Sequence, residues 1–248
     1  MIRGGSLLLL AACATAKVAT GPAPAPSALY EQVKDAHKGP STMTCDAKAF
    51  VQAPQNSGRY ELHVAVARPD SIRIEALTPV GDPAAVLVAT GGKFSLMDLR
   101  NNVFYRGPAT ARNLARLLPV ALRPEELVAV LTGGVPELPG GEPQSSNREG
   151  DTSVLTFASG GTVQTVTLGS DLRVLQVRRT LGADKLLWEI KLDQHDDASG
   201  LALLLQFAAP EVKTQVDLRL RNLATGKELP NTAFELAVPK GIRIEEVR

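Results

Sequence analysis

The chain has 248 residues, 27 of them Lys or Arg and 26 Asp or Glu, for a formal net charge of +1. This balance excludes the strongly basic footprint of a nucleic-acid binder. The length is sufficient for one large hydrophobic core.

At the N-terminus, Met1-Ile2-Arg3-Gly4-Gly5-Ser6 places one positive charge ahead of the apolar run Leu7 to Leu10, and Ala11-Ala12 precedes Cys13. The run falls well short of the roughly 20 apolar residues a spanning helix needs, and its layout is that of a signal peptide. The quartet Leu10-Ala11-Ala12-Cys13 looks like a lipobox: the thiol takes a diacylglycerol, and small neighbours admit the processing peptidase. Residues 1–12 are therefore expected to be a lipoprotein signal peptide, with Cys13 the acylated first residue of the mature chain. The competing reading is an ordinary signal peptide with an incidental cysteine. Two or three acyl chains, at about 0.8 kcal/mol per buried CH2, anchor a protein stably. Ala14 replaces the aspartate that favours inner-membrane retention in enteric sorting, which points to the outer membrane. Arg3 is the one charged residue removed, so the mature chain balances 26 bases against 26 acids. Cys45 is then the only cysteine outside the anchor, and no intrachain disulfide is expected.

Residues 13–27 hold Pro22, Pro24 and Pro26 at alternate positions among Ala, Thr and Gly, which favours an extended tether. Residues 28–38 put Leu29, Val33 and Ala36 on one helical face, with Ser27 as the predicted N-cap and Gly39-Pro40 as the stop. From residue 42 to 106 the period becomes two. Met43, Cys45, Ala47, Ala49 and Val51 alternate with more polar residues, as do Tyr60 to Val66 and Ile72 to Ala76; further strands are predicted at 84–90, 93–99 and 103–106. Asn56-Ser57-Gly58, Arg68-Pro69-Asp70, Gly91-Gly92 and Asn101-Asn102 supply short turns, so a meander of antiparallel neighbours is expected.

Residues 109–131 read as two short helices. Leu114, Leu117 and Leu118 share a face, and Pro124-Glu125-Glu126 opens a second helix with proline in the first turn and acids where the dipole favours them. Gly133-Gly134 ends it. Residues 137–151 read as a Gly/Pro/Ser loop. A second strand block follows at 153–158, 162–168, 174–181, 186–195, 203–207, 213–223 and 234–238. The predicted fold is mainly β: one curved antiparallel sheet, an unclosed barrel over 28–248, with a helical lid.

Residues able to do chemistry are sparse. His37, His63 and His195 have no metal-ligand spacing. His195 with Asp196 and Asp197 reads as a solvated strand end before the Ser199-Gly200 turn. The glycine pairs lack phosphate-loop form, no nucleophile elbow occurs, and Cys45 alternates in register with core residues. Neither an enzyme, a metal site nor a cofactor is expected.

Three segments resemble the LolA/LolB family of outer-membrane lipoprotein receptors and periplasmic lipid-binding proteins. Leu77-Thr78-Pro79-Val80-Gly81 is similar to a Pro-Leu-Gly segment on a protruding loop, with Val80 in place of leucine. Leu118-Pro119-Val120-Ala121-Leu122-Arg123-Pro124-Glu125-Glu126-Leu127 is similar to the lid region, and Phe234 to Gly241 to the C-terminal strand. The resemblance implies an apolar cavity accepting lipid or lipoprotein acyl chains, with Leu114, Leu118, Leu127 and Leu131 in the cavity or lid. Pro79, Val80 and Gly81 would then form a membrane-contact or transfer loop. It further implies an anchor at the periplasmic face of the outer membrane and a periplasmic carrier protein as donor. The rival expectation is a structural or signalling envelope lipoprotein that binds a protein partner on the same scaffold. A deep apolar pocket would mark the first, a filled core with an exposed edge or apolar patch the second, and a cleft of converging acids an enzyme.

Cys13→Ala is expected to abolish incorporation of metabolic acyl label and to release the protein from membranes. Fractionation checks this; a variant that still pellets, beside a wild type that takes up no label, removes the lipoprotein reading.

Overall fold

The period-two segments of both halves become strands of one sheet. A computed structural model describes residues 23–36, 38–54, 57–115 and 118–248. Cys13, the signal peptide and most of the tether lie outside the described residues, as do His37 and Leu117. The first meander comprises β1 (Thr42–Gln52), β2 (Gly58–Ala67), β3 (Ser71–Leu77), β4 (Pro83–Thr90), β5 (Lys93–Asp98) and β6 (Val103–Pro108). The second comprises β7 (Glu142–Glu149), β8 (Thr152–Ser159), β9 (Thr162–Leu168), β10 (Val174–Leu181), β11 (Lys185–His195), β12 (Ala202–Ala209) and β13 (Thr214–Thr225). A last short strand, β14 (Arg243–Glu246), follows.

The sheet order is β14-β6-β5-β4-β3-β2-β1-β13-β12-β11-β10-β9-β8-β7. Each meander pairs in sequence, and β1 joins β13 antiparallel, with Ala47 opposite Leu220 and Val51 opposite Val216. β7 and β14 are the two edges, so the sheet is unclosed. The pairing is antiparallel throughout except between β14 and β6, which run parallel.

Two predictions change. Residues 137–151 are not simply a loop, because β7 lies within them and pairs with β8. An edge strand buries little, so Glu142–Glu149 shows no apolar alternation to read. Residues 234–238 are not a strand. A 3-10 turn covers Asn231–Phe234, and the chain then runs without ladder bonds to β14. This segment crosses the outer face of the first meander: Arg73 Nη1 donates to the carbonyls of Ala233 and Glu235 at 3.3 and 3.4 Å. Val86, Val88 and Phe104, whose side chains alternate to that outer face, are buried.

Helix α1 (Pro26–Ala36) begins two residues before its predicted start, since proline is well tolerated in a first turn. Its first bond runs from Leu29 N–H to the Ala25 carbonyl, so Ser27 lies inside the helix and is not the N-cap. Leu29 and Val33 are each 1% exposed, and the Tyr30 ring meets Phe157 of β8 edge-on at 5.0 Å. Leu29→Ala is expected to destabilise the fold by about 2–5 kcal/mol through the cavity it leaves. A urea titration would show it; a loss below about 1 kcal/mol would mean that α1 is not part of the core.

Candidate functional site

The inner face of the curved sheet is a mainly apolar wall. Phe94, Ala89, Ile72, Val66 and Met43 are successive cross-strand partners from β5 to β1. Val51, Val216, Phe207, Ile190, Val177, Val166 and Leu155 continue the wall from β1 to β8. All are buried in one core cluster. Cys45 belongs to this wall, paired with Val64, and burial pushes its thiol up to about 12. This matches its expected place as a packed core thiol.

Three helices cover the wall: α1, α2 (Ala111–Leu114) and α3 (Pro124–Leu131). Leu29, Val33, Leu114, Leu122, Val128, Val130 and Leu131 share the cluster with the strands, and Leu118 and Leu127 pack against it half-buried. The predicted lid residues therefore all meet the concave side. Leu114 and Leu131 are nearly inaccessible, at 0% and 6%. Leu118 departs in one respect: α2 ends at Leu114, and Leu118 sits in a bend whose amide donates to the Leu114 carbonyl at 2.7 Å. Proline at 119 disfavours helical backbone at the residue before it. The interior in this state is filled by the helices.

Sequence reasoning did not identify what holds α3. At its N-terminal end, Glu126 is 2% exposed and forms an ion pair with Arg179 of β10 at 2.5 Å. Arg179 also donates to Gln164 Oε1 from Nε and Nη2, at 3.1 and 2.6 Å, and to the Glu137 carbonyl at 3.3 Å. Its guanidinium stacks over Trp188 at 4.6 Å. Gln164 in turn donates to the Pro136 carbonyl at 2.7 Å, and the second Glu126 oxygen accepts the Arg123 amide at 2.8 Å. Every member of the network has a partner, as buried polar groups require. At the other end of α3, Arg68 in the β2–β3 turn donates to Thr132 Oγ1 at 2.9 Å. Gly39 packs there so closely that a Cβ would stand 2.1 Å from the Thr132 carbonyl oxygen. Helix α3 thus bridges the second meander at its start and the first at its end.

The β3–β4 loop presents Val80 outward at 84% exposure, and Gly81 has φ +94°, the left-handed value the turn needs. Pro79 and Gly81 are exposed beside it. Val80 does not fold back onto the strands.

A polar hollow of about 310 Å3 opens on the outer face, between β13, β1, β2 and β3. Asp46 accepts from Asn222 at 2.6 Å and meets His63 Nδ1 at 2.5 Å. The bond from Asn222 and then that from His63 hold the Asp46 carboxyl below its ordinary value. No group of side chains able to hold a metal ion occurs among the described residues. At β11, Asp196 caps the following turn through the Ser199 amide and hydroxyl, and burial lowers the His195 pKa.

No family model matches the sequence, and no curated protein does so either. Solved structures share the architecture. A LolA superfamily protein from Nitrosomonas europaea superposes with a TM-score of 0.60 at 11% identity, over 86% of this chain and 99% of that one. The chain has a LolA/LolB-like fold. A DUF1329 family protein from Desulfovibrio piger gives 0.60 at 9% identity, over 85% and 95% of the two chains. An outer membrane lipoprotein-sorting protein domain from Vibrio parahaemolyticus gives 0.57 at 11%, over the same shares. In LolA/LolB-like terms the inner wall is the half-barrel surface and α3 its cover.

Glu126→Leu is expected to cost about 3–5 kcal/mol, because it leaves Arg179 buried without its carboxylate. The double variant Glu126→Leu/Arg179→Leu should recover much of the loss. Denaturation of the four proteins in the cycle checks it, and a single-variant cost under about 1 kcal/mol would show that the pair does not seat α3.

Proposed function

We propose that the protein binds lipid or lipoprotein acyl chains against the inner wall of its sheet and delivers them to a membrane. It would do so as a Cys13-anchored lipoprotein at the periplasmic face of the outer membrane, receiving cargo from a periplasmic carrier protein. The observation that carries this reading is the apolar wall running from β5 to β8, with Arg179 and Gln164 set into it, closed by a helix whose two ends are held by polar contacts. An acyl chain replacing the helices on that wall would gain about 25 cal/mol per Å2 of apolar area buried. The likeness in fold to a LolA superfamily protein and to a lipoprotein-sorting protein domain supports the same reading. Among the described residues no helix is long and apolar enough to cross a membrane. The reading includes no catalytic step.

The filled interior favours a second reading, in which the scaffold binds a protein partner and the helices never leave the wall. A fluorescent fatty acid distinguishes the two. The Cys13→Ala protein is expected to bind it saturably and to release it on addition of oleate. Absence of saturable binding would sink the acyl reading in favour of the second. Val80→Glu is then expected to leave circular dichroism and probe binding unchanged and to slow transfer to liposomes at least tenfold, since a carboxylate resists entering an apolar phase. Unchanged transfer would remove the loop from the mechanism.

A further inference from the structure

Among the described residues Arg179 is the only buried base and Glu126 the only buried acid. Arg179 belongs to the wall. Phe157, Gln164, Arg179 and Trp188 are successive cross-strand partners from β8 to β11. Beside that row runs an entirely apolar one, Leu155, Val166, Val177 and Ile190. Arg179 is also the last buried residue of β10: Val177 precedes it on the same face, and Leu181 beyond it is exposed. A guanidinium thus stands near the mouth of an acyl-sized apolar surface.

The partners of Arg179 divide by where they are attached. Gln164 Oε1 and the Trp188 ring belong to the sheet, as Arg179 does. The Glu126 carboxylate and the Glu137 carbonyl belong to α3 and the segment after it, as does the Pro136 carbonyl that Gln164 donates to. Arg123, whose Nε lies 3.3 Å from the second Glu126 oxygen, is on the cover too and pairs with Glu125 at 2.7 Å. An acyl chain laid on the wall in place of α3 therefore removes the one carboxylate that Arg179 meets among the described residues. It does so while keeping the guanidinium from water. A neutral cargo would leave that charge buried and uncompensated, which is strongly unfavourable. A cargo that brings its own oxyanion would not.

We infer that Arg179, with Gln164 beside it, is the headgroup site of the wall, and that Glu126 fills it as an internal stand-in for the carboxylate or phosphate of an anionic amphiphile. This rests on the proposed acyl binding and narrows its cargo. Arg179 directs Nη1 at Glu126 and Nη2 at the Glu137 carbonyl, and Gln164 directs its amide nitrogen at the Pro136 carbonyl. These donors, freed together, suit a carboxylate or a phosphate oxyanion. The head would sit at the mouth of the wall. The tail would start on the row of Val166, Val177 and Ile190, one pair of residues or about 6–7 Å further along the strands.

The test uses the Cys13→Ala protein and the fluorescence of Trp188, the single tryptophan of the chain, which lies against the Arg179 guanidinium. Oleate, oleyl alcohol and oleoyl lysophosphatidate are titrated in turn. Oleate should bind roughly 30-fold tighter than the alcohol, the gain expected of hydrogen bonds to a charged group. Glu126→Leu/Arg179→Leu, the charge-free form of the same wall, should bind the two about equally. Glu126→Gln removes the internal competitor and should bind oleate roughly tenfold tighter than the parent, by the same arithmetic. The larger Arg179-dependent gain, of oleate or of oleoyl lysophosphatidate, names the head as a fatty-acid carboxylate or a phospholipid phosphate. Equal binding of oleate and oleyl alcohol by the parent overturns the proposal and leaves acyl binding standing. An acid preference that persists in the double variant overturns it as well, and unchanged oleate binding by Glu126→Gln removes the stand-in role. Binding of none of the three sinks the acyl reading itself.

Discussion

An apolar concave face on a sheet that does not close must be covered by something other than strands. That constraint organises this molecule. Fourteen strands bend into a wall whose inner side is apolar from β5 to β8, and both edges stay open. Helices supply the missing side. Their hold is of two kinds: α1 is held through Leu29, Val33 and the Tyr30–Phe157 contact, whereas α3 is also held through charge and hydrogen bonds at each end. A buried ion pair contributes little net stability because desolvation offsets its Coulomb gain, but it fixes where its partners sit.

The open edges are managed separately. β14 is four residues long and three are charged, and β7 carries Pro143 and mostly polar side chains, so neither offers a long apolar template for another chain. Beside β7 lies α1, and the Ser146 hydroxyl donates to the Pro24 carbonyl just before that helix. The chain after β13 deals with the other half. It crosses the outer face, covers Val86, Val88 and Phe104, and reaches the far edge in the same direction as β6. The single parallel pairing in the sheet is the consequence of that crossing.

Strands that bury one face were legible because burial imposes the alternation. Met43 to Val51 is the clearest case: every second residue is inaccessible, and β1 sits in the middle of the sheet. β7 was not legible, because an edge strand under a helix has no obligation to alternate. Phe234 to Val238 misled for the converse reason. Its period of two reports a stripe laid on the outer face, and a stripe needs no ladder partner. Val80 was legible, since proline and glycine on either side leave the tip little choice but outward. The Glu126–Arg179–Gln164 network was not read, although the parity carried a sign of it. Arg179 shares the inner face with Val177, and Gln164 shares it with Val166. Polar residues at inner positions of adjacent strands require a partner from outside the sheet, and the only acid buried in the predicted lid is Glu126.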